Sequence, residues 1–323
     1  MIRKRIGAAL LGIVLILTFT GCVNQHPDET GGGKTEETGD GTAAETGTNS
    51  SSTSGKTETG EASGDSVRLI ATSPAVAQIC SKLNLDLVGV CETGSTLPEE
   101  YQELPTVGMA MSPDLETIKS LNPDYVLSPN SLESDLQPKY ASAGVKSIFL
   151  NLKSVEGMYA SIQGLGEKFD RQEEANTLLE EFNRFMEEYN TGHEGEESPK
   201  VLVLMGLPGS YIVATDNSYV GSLVKLAGGT NVYGNGDGQE FLNANTEDML
   251  SKDPDIILRA AHALPDQVKE MFAEEFSTND IWKHFRAVQE GKVYDLDSSL
   301  FNMSANFSYS DALSALQPML YGE

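Results

Sequence analysis

Large apolar residues recur along this chain at helical and strand-like spacings, and the longest stripe is helical. Val155, Met158, Tyr159, Ile162, Leu165 and Phe169 lie on one side of a 3.6-residue period, and Leu178, Leu179, Phe182, Met186 and Tyr189 continue in the same way. The spacing predicts one amphipathic helix from Ser154 to about Tyr189. At 1.5 Å per residue it would be roughly 50 Å long, more than the width of a small domain, so it is expected to join two domains as a strut. The same short pattern stands on either side of it. Glu116-Thr-Ile-Lys-Ser-Leu-Asn-Pro123-Asp124 leads into Tyr125-Val-Leu127, and Glu247-Asp-Met-Leu-Ser-Lys-Asp-Pro254-Asp255 leads into Ile-Ile-Leu258, with equal separation of glutamate and proline. The chain reads as two lobes built alike.

Shorter apolar runs between turn residues supply the strands. In the first lobe these are Arg68 to Ala71, Leu87 to Val90 and Tyr125 to Leu127. In the second they are Lys200 to Gly206, its hairpin partner Tyr211 to Ala214, Asp255 to Leu258, and Val293 to Leu296. Helix starts are signalled at Thr72-Ser73-Pro74 and at Ser112-Pro113-Asp114. Tyr219 to Leu226, closed by Gly228-Gly229, reads as a short helix, as do Phe276 to Gln289 and Asp311 to Tyr321. Alternation of strands and helices points to an α/β fold with two Rossmann-like lobes, residues 67–153 and 191–323, joined by the helix over 154–190. In such sheets ligands sit beyond the carboxyl ends of the strands. Two features fall there: the irregular stretch from Glu92 to Met111, long for a compact domain, and His262, which follows the strand ending at Leu258.

The amino terminus changes the picture of where the protein works. Arg3, Lys4 and Arg5 precede an apolar run from Ile6 to Phe19, the order of a secretory signal over residues 1–21 and too short for a comfortable span. Phe19-Thr-Gly-Cys22 then resembles the lipobox of bacterial lipoproteins, with Phe19 where Leu is usual; the resemblance implies acylation of Cys22 and palmitate-type anchoring at a membrane surface. Residues 22–66 are Gly, Thr, Ser and Glu with almost no large apolar side chain, a composition that reads as a disordered tether. His26 lies in it and is not expected to be a ligand.

Composition narrows the partners. A formal net charge of −26 argues against nucleic acid and against direct binding to anionic lipid, and favours a basic protein partner. Cys80 and Cys91 have no metal or redox spacing and are either buried thiols or one disulfide. Gly234-Asn-Gly-Asp-Gly238 lacks the Lys-Ser/Thr of a phosphate loop and reads as a surface turn. No Gly-x-Ser-x-Gly elbow, His-Glu-x-x-His or spaced pair of carboxylates is present, which argues against an enzyme.

The order of these motifs resembles the class III substrate-binding lipoproteins of ABC importers for siderophores, cobalamin and haem, in which a single long helix joins two α/β lobes. Within that class the chain is most similar to the haem-receptor lipoproteins of iron-regulated surface determinant systems. The similarity covers Arg68 to Tyr321 and is carried by Val201-Leu-Val-Leu-Met-Gly-Leu-Pro-Gly-Ser-Tyr211, Asp255-Ile-Ile-Leu-Arg-Ala-Ala-His262 and Asn279-Asp-Ile-Trp-Lys-His-Phe285. It implies a non-enzymatic, monomeric receptor, anchored on the extracytoplasmic face of a Gram-positive cell membrane. Such a receptor takes haem b from a surface donor protein and hands it to a permease.

The resemblance also implies residue roles. Met111 from the first lobe and His262 from the second match the axial iron ligands, a pairing of thioether and imidazole that raises the potential of haem iron. Read alone, Met111 is a packing methionine at a helix start, with Met109 a substitute ligand two residues earlier, and His262 is a polar cleft or core histidine. Pro74, Ala75, Thr93 and Gly94 match further haem contacts; Gly94 stands where the family commonly has tyrosine, and Ser95 is the candidate to replace its hydrogen bond. Arg259 is either a propionate partner or half of a structural ion pair. Glu116 and Glu247 match the glutamates that face arginines of the permease, and each also suits a helix start. His284 and His193 are expected to be structural or solvated. The rival readings are a receptor for a ferric siderophore or a corrinoid, an enzyme acting on haem or by hydrolysis, and an adhesion or scaffold lipoprotein.

Overall fold

The structure is a computed structural model and describes residues 67–322 apart from 193, 194 and 196. The secretory signal, Cys22, the tether and His193 lie outside the described residues. The first lobe opens with β1 (Leu69–Ala71), α1 (Pro74–Lys82) and β2 (Leu87–Val90). A 3-10 turn at Glu99–Tyr101 leads to a small hairpin, β3 (Gly108–Met109) and β4 (Ser112–Pro113). Then follow α2 (Leu115–Ser120), β5 (Tyr125–Pro129), α3 (Glu133–Ser142) and β6 (Ser147–Leu150). The sheet is all parallel in the order β2-β1-β5-β6. Alternate residues face two separate apolar layers, Leu69, Ala71 and Leu127 on one side and Ile70 and Val126 on the other, so the strands are buried on both faces.

The second lobe is mixed. It contains β7 (Lys200–Leu207), β8 (Ser210–Ala214), α6 (Tyr219–Leu226), β9 (Thr230–Asn231), β10 (Phe241–Asn243), α7 (Thr246–Ser251) and β11 (Ile256–Ala261). It closes with α8 (Pro265–Thr278), a 3-10 turn at Asp280–His284, α9 (Arg286–Gln289), β12 (Val293–Asp295) and α10 (Tyr309–Tyr321). The sheet order is β10-β8-β7-β11-β12, with β9 also paired to β7; β11 lies parallel to β7 and β12, and β8 is antiparallel.

The expected single helix from Ser154 to Tyr189 is two helices, α4 (Val155–Lys168) and α5 (Gln172–Thr191). Asp170 breaks the stripe with φ of 56°, a left-handed conformation that an aspartate tolerates at a helix end. The helices then fold against each other: Gly166 meets Ala175, and the Tyr159 and Phe182 rings stack at 4.5 Å. The apolar period survived the turn in sequence because both helices bury one face in the same core. The long joining helix is α5 alone, about 30 Å over its 20 residues. Other expectations move as well. Pro113 belongs to β4, and the cap of α2 is Asp114, whose carboxylate accepts the N–H groups of Glu116 (3.0 Å) and Thr117 (3.3 Å). Residues 276 to 289 are not one helix, since α8 ends at Thr278 and Trp282 lies in the 3-10 turn.

The paired sequence pattern folds into matching structures. Asp114 and Asn245 cap α2 and α7; Asn122 and Asp253 take positive φ after those helices. The Asp124 and Asp255 carboxylates then accept the backbone N–H of Arg68 (2.8 Å) and Lys200 (2.7 Å), fixing the entry to β5 and β11. The lobes are joined by one continuous apolar cluster through α4, α5, α6 and α10, where Tyr159 and Tyr309 also share a hydroxyl hydrogen bond of 3.2 Å. Ala305 N–H donates to Leu152 across the join at 2.8 Å. Cys80 and Cys91 are buried free thiols, with burial pushing their pKa values up to about 12 and about 11.

Candidate functional site

The carboxyl ends of the parallel strands in both lobes open on one cavity of about 510 Å³, within the roughly 300–1,000 Å³ common for small-molecule sites. Four segments line it, each following a strand: Ser73 to Ala75 after β1, Ser95 and Thr96 after β2, His262 after β11, and Ser298 to Ser308 after β12. The start of α1 forms the lobe 1 wall. Ser73 caps it by accepting the Val76 N–H at 3.3 Å, and Pro74 at the first position has no N–H to offer. Ala75 is thereby left as a backbone donor at the positive end of the helix.

His262 stands opposite, half-buried, immediately after β11. Its backbone N–H donates to the Gly206 carbonyl at 2.9 Å, tying it to the end of β7. The next two residues, Ala263 (φ 59°) and Leu264 (φ 42°), are both left-handed, and Pro265 then starts α8. Two consecutive non-glycine residues in that region are strained. The sharp turn is what lets a strand, the histidine and a helix follow one another without a spacer. Burial lowers the His262 pKa below its ordinary 6.5, which keeps the imidazole neutral and its nitrogen lone pair available at neutral pH.

The remaining candidates are distributed unevenly. Pro74, Ala75 and Ser95 share the cavity wall with His262, whereas Thr93 lines an adjoining groove and Gly94 lies in open space. Thr93 Oγ1 accepts the Ser95 N–H at 3.0 Å and so shapes the loop that carries Ser95. Met111 is not at a helix start. It sits with Ala110 in the two-residue turn between β3 and β4, 72% exposed, and Met109 is 60% exposed beside it. Neither lines the cavity wall. Arg259 is held by Asp295 directly opposite on β12, with bonds of 2.8 and 2.7 Å, and its guanidinium lies over the Phe276 ring. It is half of a structural pair. Glu116 and Glu247 are both exposed in the first turns of α2 and α7, and His284 is exposed in its 3-10 turn.

Sequence reasoning missed the segment from Ser298 to Ser308, which supplies half of the wall. The signal was its length without periodicity and its content of Ser298, Ser299, Asn302, Ser304, Asn306 and Ser308, the composition of a long functional loop. Asp297, Asn302 and Asn306 each accept the backbone N–H two residues on, at 2.9, 3.0 and 2.8 Å, so the loop is built from successive Asx turns.

The family model for periplasmic binding proteins matches residues 69–300, the stretch that carries both sheets and most of the cavity wall. The chain belongs to that family. It is 41% identical over 269 residues to the high-affinity heme uptake system protein IsdE of Staphylococcus aureus strain Newman, covering 83% of this chain and 91% of that one. Among solved structures it is similar to an ABC transporter substrate-binding protein from Listeria monocytogenes EGD-e, with 45% identity, a TM-score of 0.75, and coverage of 80% and 99%. It is also similar to S. aureus IsdE complexed with heme, with 41% identity, a TM-score of 0.74, and coverage of 79% and 99%. These relatives are binding proteins of uptake systems and not enzymes, and the two-lobed α/β fold with a joining helix is the class III arrangement. Among the described residues no helix is long and apolar enough to cross a membrane.

Proposed function

We propose that this periplasmic binding protein family member is an extracytoplasmic receptor that captures haem b in the interlobe cavity and delivers it to an ABC permease. The observation that carries the reading is His262: a neutral, half-buried imidazole on the cavity wall of a chain 41% identical to a heme uptake protein. Among the described residues no three His, Cys, Asp or Glu side chains gather as a site for a bare metal ion. A single imidazole suits an iron already held by a macrocycle, where only axial positions remain to be filled. Met111 is the second axial ligand of the proposal. Its exposed place at the tip of the β3–β4 turn leaves the thioether accessible from the lobe 1 side, and Met109 is the substitute.

In the same reading Pro74, Ala75 and Ser95 contact the porphyrin or its propionates, with Thr93 and Gly94 shaping the loop beside them. Glu116 and Glu247 dock on arginines of the permease. Their exposure at matched positions of the two lobes supports this role, and charges so placed act more on docking rate and orientation than on affinity. Cys22 carries the lipid anchor, a surface protein donates the haem, and the receptor works as a monomer.

The test is a haem titration followed by visible absorption, with Met111→Ala and His262→Ala in parallel. A saturable one-to-one, low-spin spectrum that each substitution alters supports the axial pair. Variants indistinguishable from the parent would remove the assignment and favour a ferric siderophore, which brings its own oxygen ligands, or a corrinoid.

A further inference from the structure

The polar inventory of the cavity bears on how a ligand's acidic arms are received. None of its fourteen lining residues is Lys, Arg, Asp or Glu, and ten carry a hydroxyl or an amide. Two cations on bordering segments are already matched, Arg259 with Asp295 and Lys153 with Glu240. The chain carries a formal net charge of −26, so an anionic ligand approaches a negative protein and meets no opposing charge on the cavity wall.

Hydrogen bonds inside the lobe 2 loop decide which donors are left. The Ser299 hydroxyl donates to Asp297 at 2.8 Å, and the Asn306 amide donates to the Ser304 carbonyl at 3.1 Å. The hydroxyls of Ser298, Ser304 and Ser308 also line the cavity and are left as donors, but Asn302 is the one whose donor end is oriented by a bond of its own loop. Its Oδ1 accepts the Ser304 N–H at 3.0 Å, so the end of the side chain left for a ligand is the amide NH₂. The loop that carries it is anchored by buried Phe301 and Ala305 and by the bond from Ala305 N–H to Leu152 of the first lobe. A donor fixed in this way loses little freedom on binding.

We infer that Asn302 is the lobe 2 donor for a carboxylate arm of the ligand, and that this cleft recognises such arms by neutral hydrogen bonds with no compensating cation. The inference rests on the haem reading above. Binding strength then comes from iron ligation and from the apolar faces of the macrocycle, and the negative charge of the arms adds little.

Asn302→Asp tests this in the intact chain. The aspartate keeps an oxygen for the Ser304 N–H and replaces only the donor end, with a like charge. Iron protoporphyrin IX and its uncharged dimethyl ester are titrated at about 0.01 M and about 1 M salt, where screening differs most. The parent is expected to bind acid and ester within about tenfold of each other. The variant is expected to lose roughly 10- to 100-fold for the acid at low salt, to recover most of it at high salt, and to bind the ester within about threefold of the parent. Equal losses for acid and ester would make Asn302 merely structural and overturn the inference. An unchanged affinity for the acid would also overturn it, as would a parent that binds the ester more than 100-fold more weakly. A parent with no saturable spectral change for either ligand would instead remove the haem reading itself, and this inference with it.

Discussion

Gly206 links the core of the second lobe to its candidate ligand, and replacing it with alanine should disturb both. A Cβ there would lie 2.3 Å from Val268 Cγ1 and 2.6 Å from Phe272 Cε2, where carbon atoms need roughly 3.5–4.0 Å. Neither neighbour is free to yield. Val268 and Phe272 are 0% and 1% exposed, and the Phe272 ring packs against Tyr211 and Phe276. The α8 helix that carries them must move outward by roughly 1 Å, and overpacking of this kind costs roughly 1–3 kcal/mol. For a folded unit of this size that is a fall in Tm of roughly 2–12 °C. The site should feel it too, because the Gly206 carbonyl holds the His262 N–H and α8 begins three residues after that histidine. Thermal unfolding followed by circular dichroism, with a haem titration of the same samples, measures both effects. Gly164→Ala is the control: nothing lies within 4 Å of its Cβ, and as a helical position of ordinary φ it should be neutral or gain up to about 1 kcal/mol. A Gly206→Ala protein that melts with the parent and gives the parent's haem spectrum would refute the close approach of β7 and α8 and the coupling drawn from it.

Arg259→Ala should cost about 0.5–1.5 kcal/mol, because it removes the bonds to the exposed Asp295 and uncovers the Phe276 ring; the haem spectrum and affinity should stay within a few fold of the parent. A large loss of haem affinity with unchanged Tm would make Arg259 a ligand contact. If His262 ligates the iron as proposed, its protonation competes with binding, and burial lowers its pKa below 6.5, so its neutral form persists to lower pH than in an ordinary histidine. Haem affinity should therefore fall only as the pH passes below the lowered pKa, by about tenfold per unit for one proton; a midpoint above 6.5 in the pH titration contradicts this. The shared core through α4, α5 and α10, with Ala305 bonded to Leu152, limits hinge motion. Small-angle scattering of free and haem-loaded protein should give nearly equal radii of gyration, and a clear contraction on loading would show that the join yields.

The parts of the fold legible in sequence were those where local signals and the global architecture agree. Ser73 before Pro74 gave the start of α1, and the Pro208-Gly209 turn gave the β7–β8 hairpin. The doubled Glu to Pro-Asp pattern gave the two half-sheets, since the same capped helix and the same aspartate bond recur in each lobe. Where the reading failed, a tertiary choice had overridden the local one. The break at Asp170 is invisible in the apolar period because α4 and α5 bury their stripes in a common cluster. The start of α8 was hidden by its position directly after two left-handed residues, a junction that propensity does not anticipate. At α3, Pro138 sits inside a mostly polar helix that buries only Leu136 and Tyr140, too little apolar surface to mark a period.

The candidate site was half legible for a related reason. Histidine is rare enough in this chain, at four residues, to attract notice, and one of them, His262, proves to stand on the cavity wall. Half of the lining, on the same lobe as His262, is made mostly of serines and asparagines, whose side chains in an isolated sequence read as turn formers. Both descriptions are physically the same thing here. The Asx bonds of Asp297, Asn302 and Asn306 fold the loop, and by occupying particular atoms they determine which polar atoms remain to face a ligand. A turn residue becomes a recognition residue when its backbone bond fixes the orientation of its other end. That coupling also explains how two lobes with matching frames carry unlike walls. The repeated capped helices and aspartate bonds set the sheets, while the connections after β1 and β12, which the repeat does not constrain, are where the first lobe offers a helix start and the second a folded polar loop.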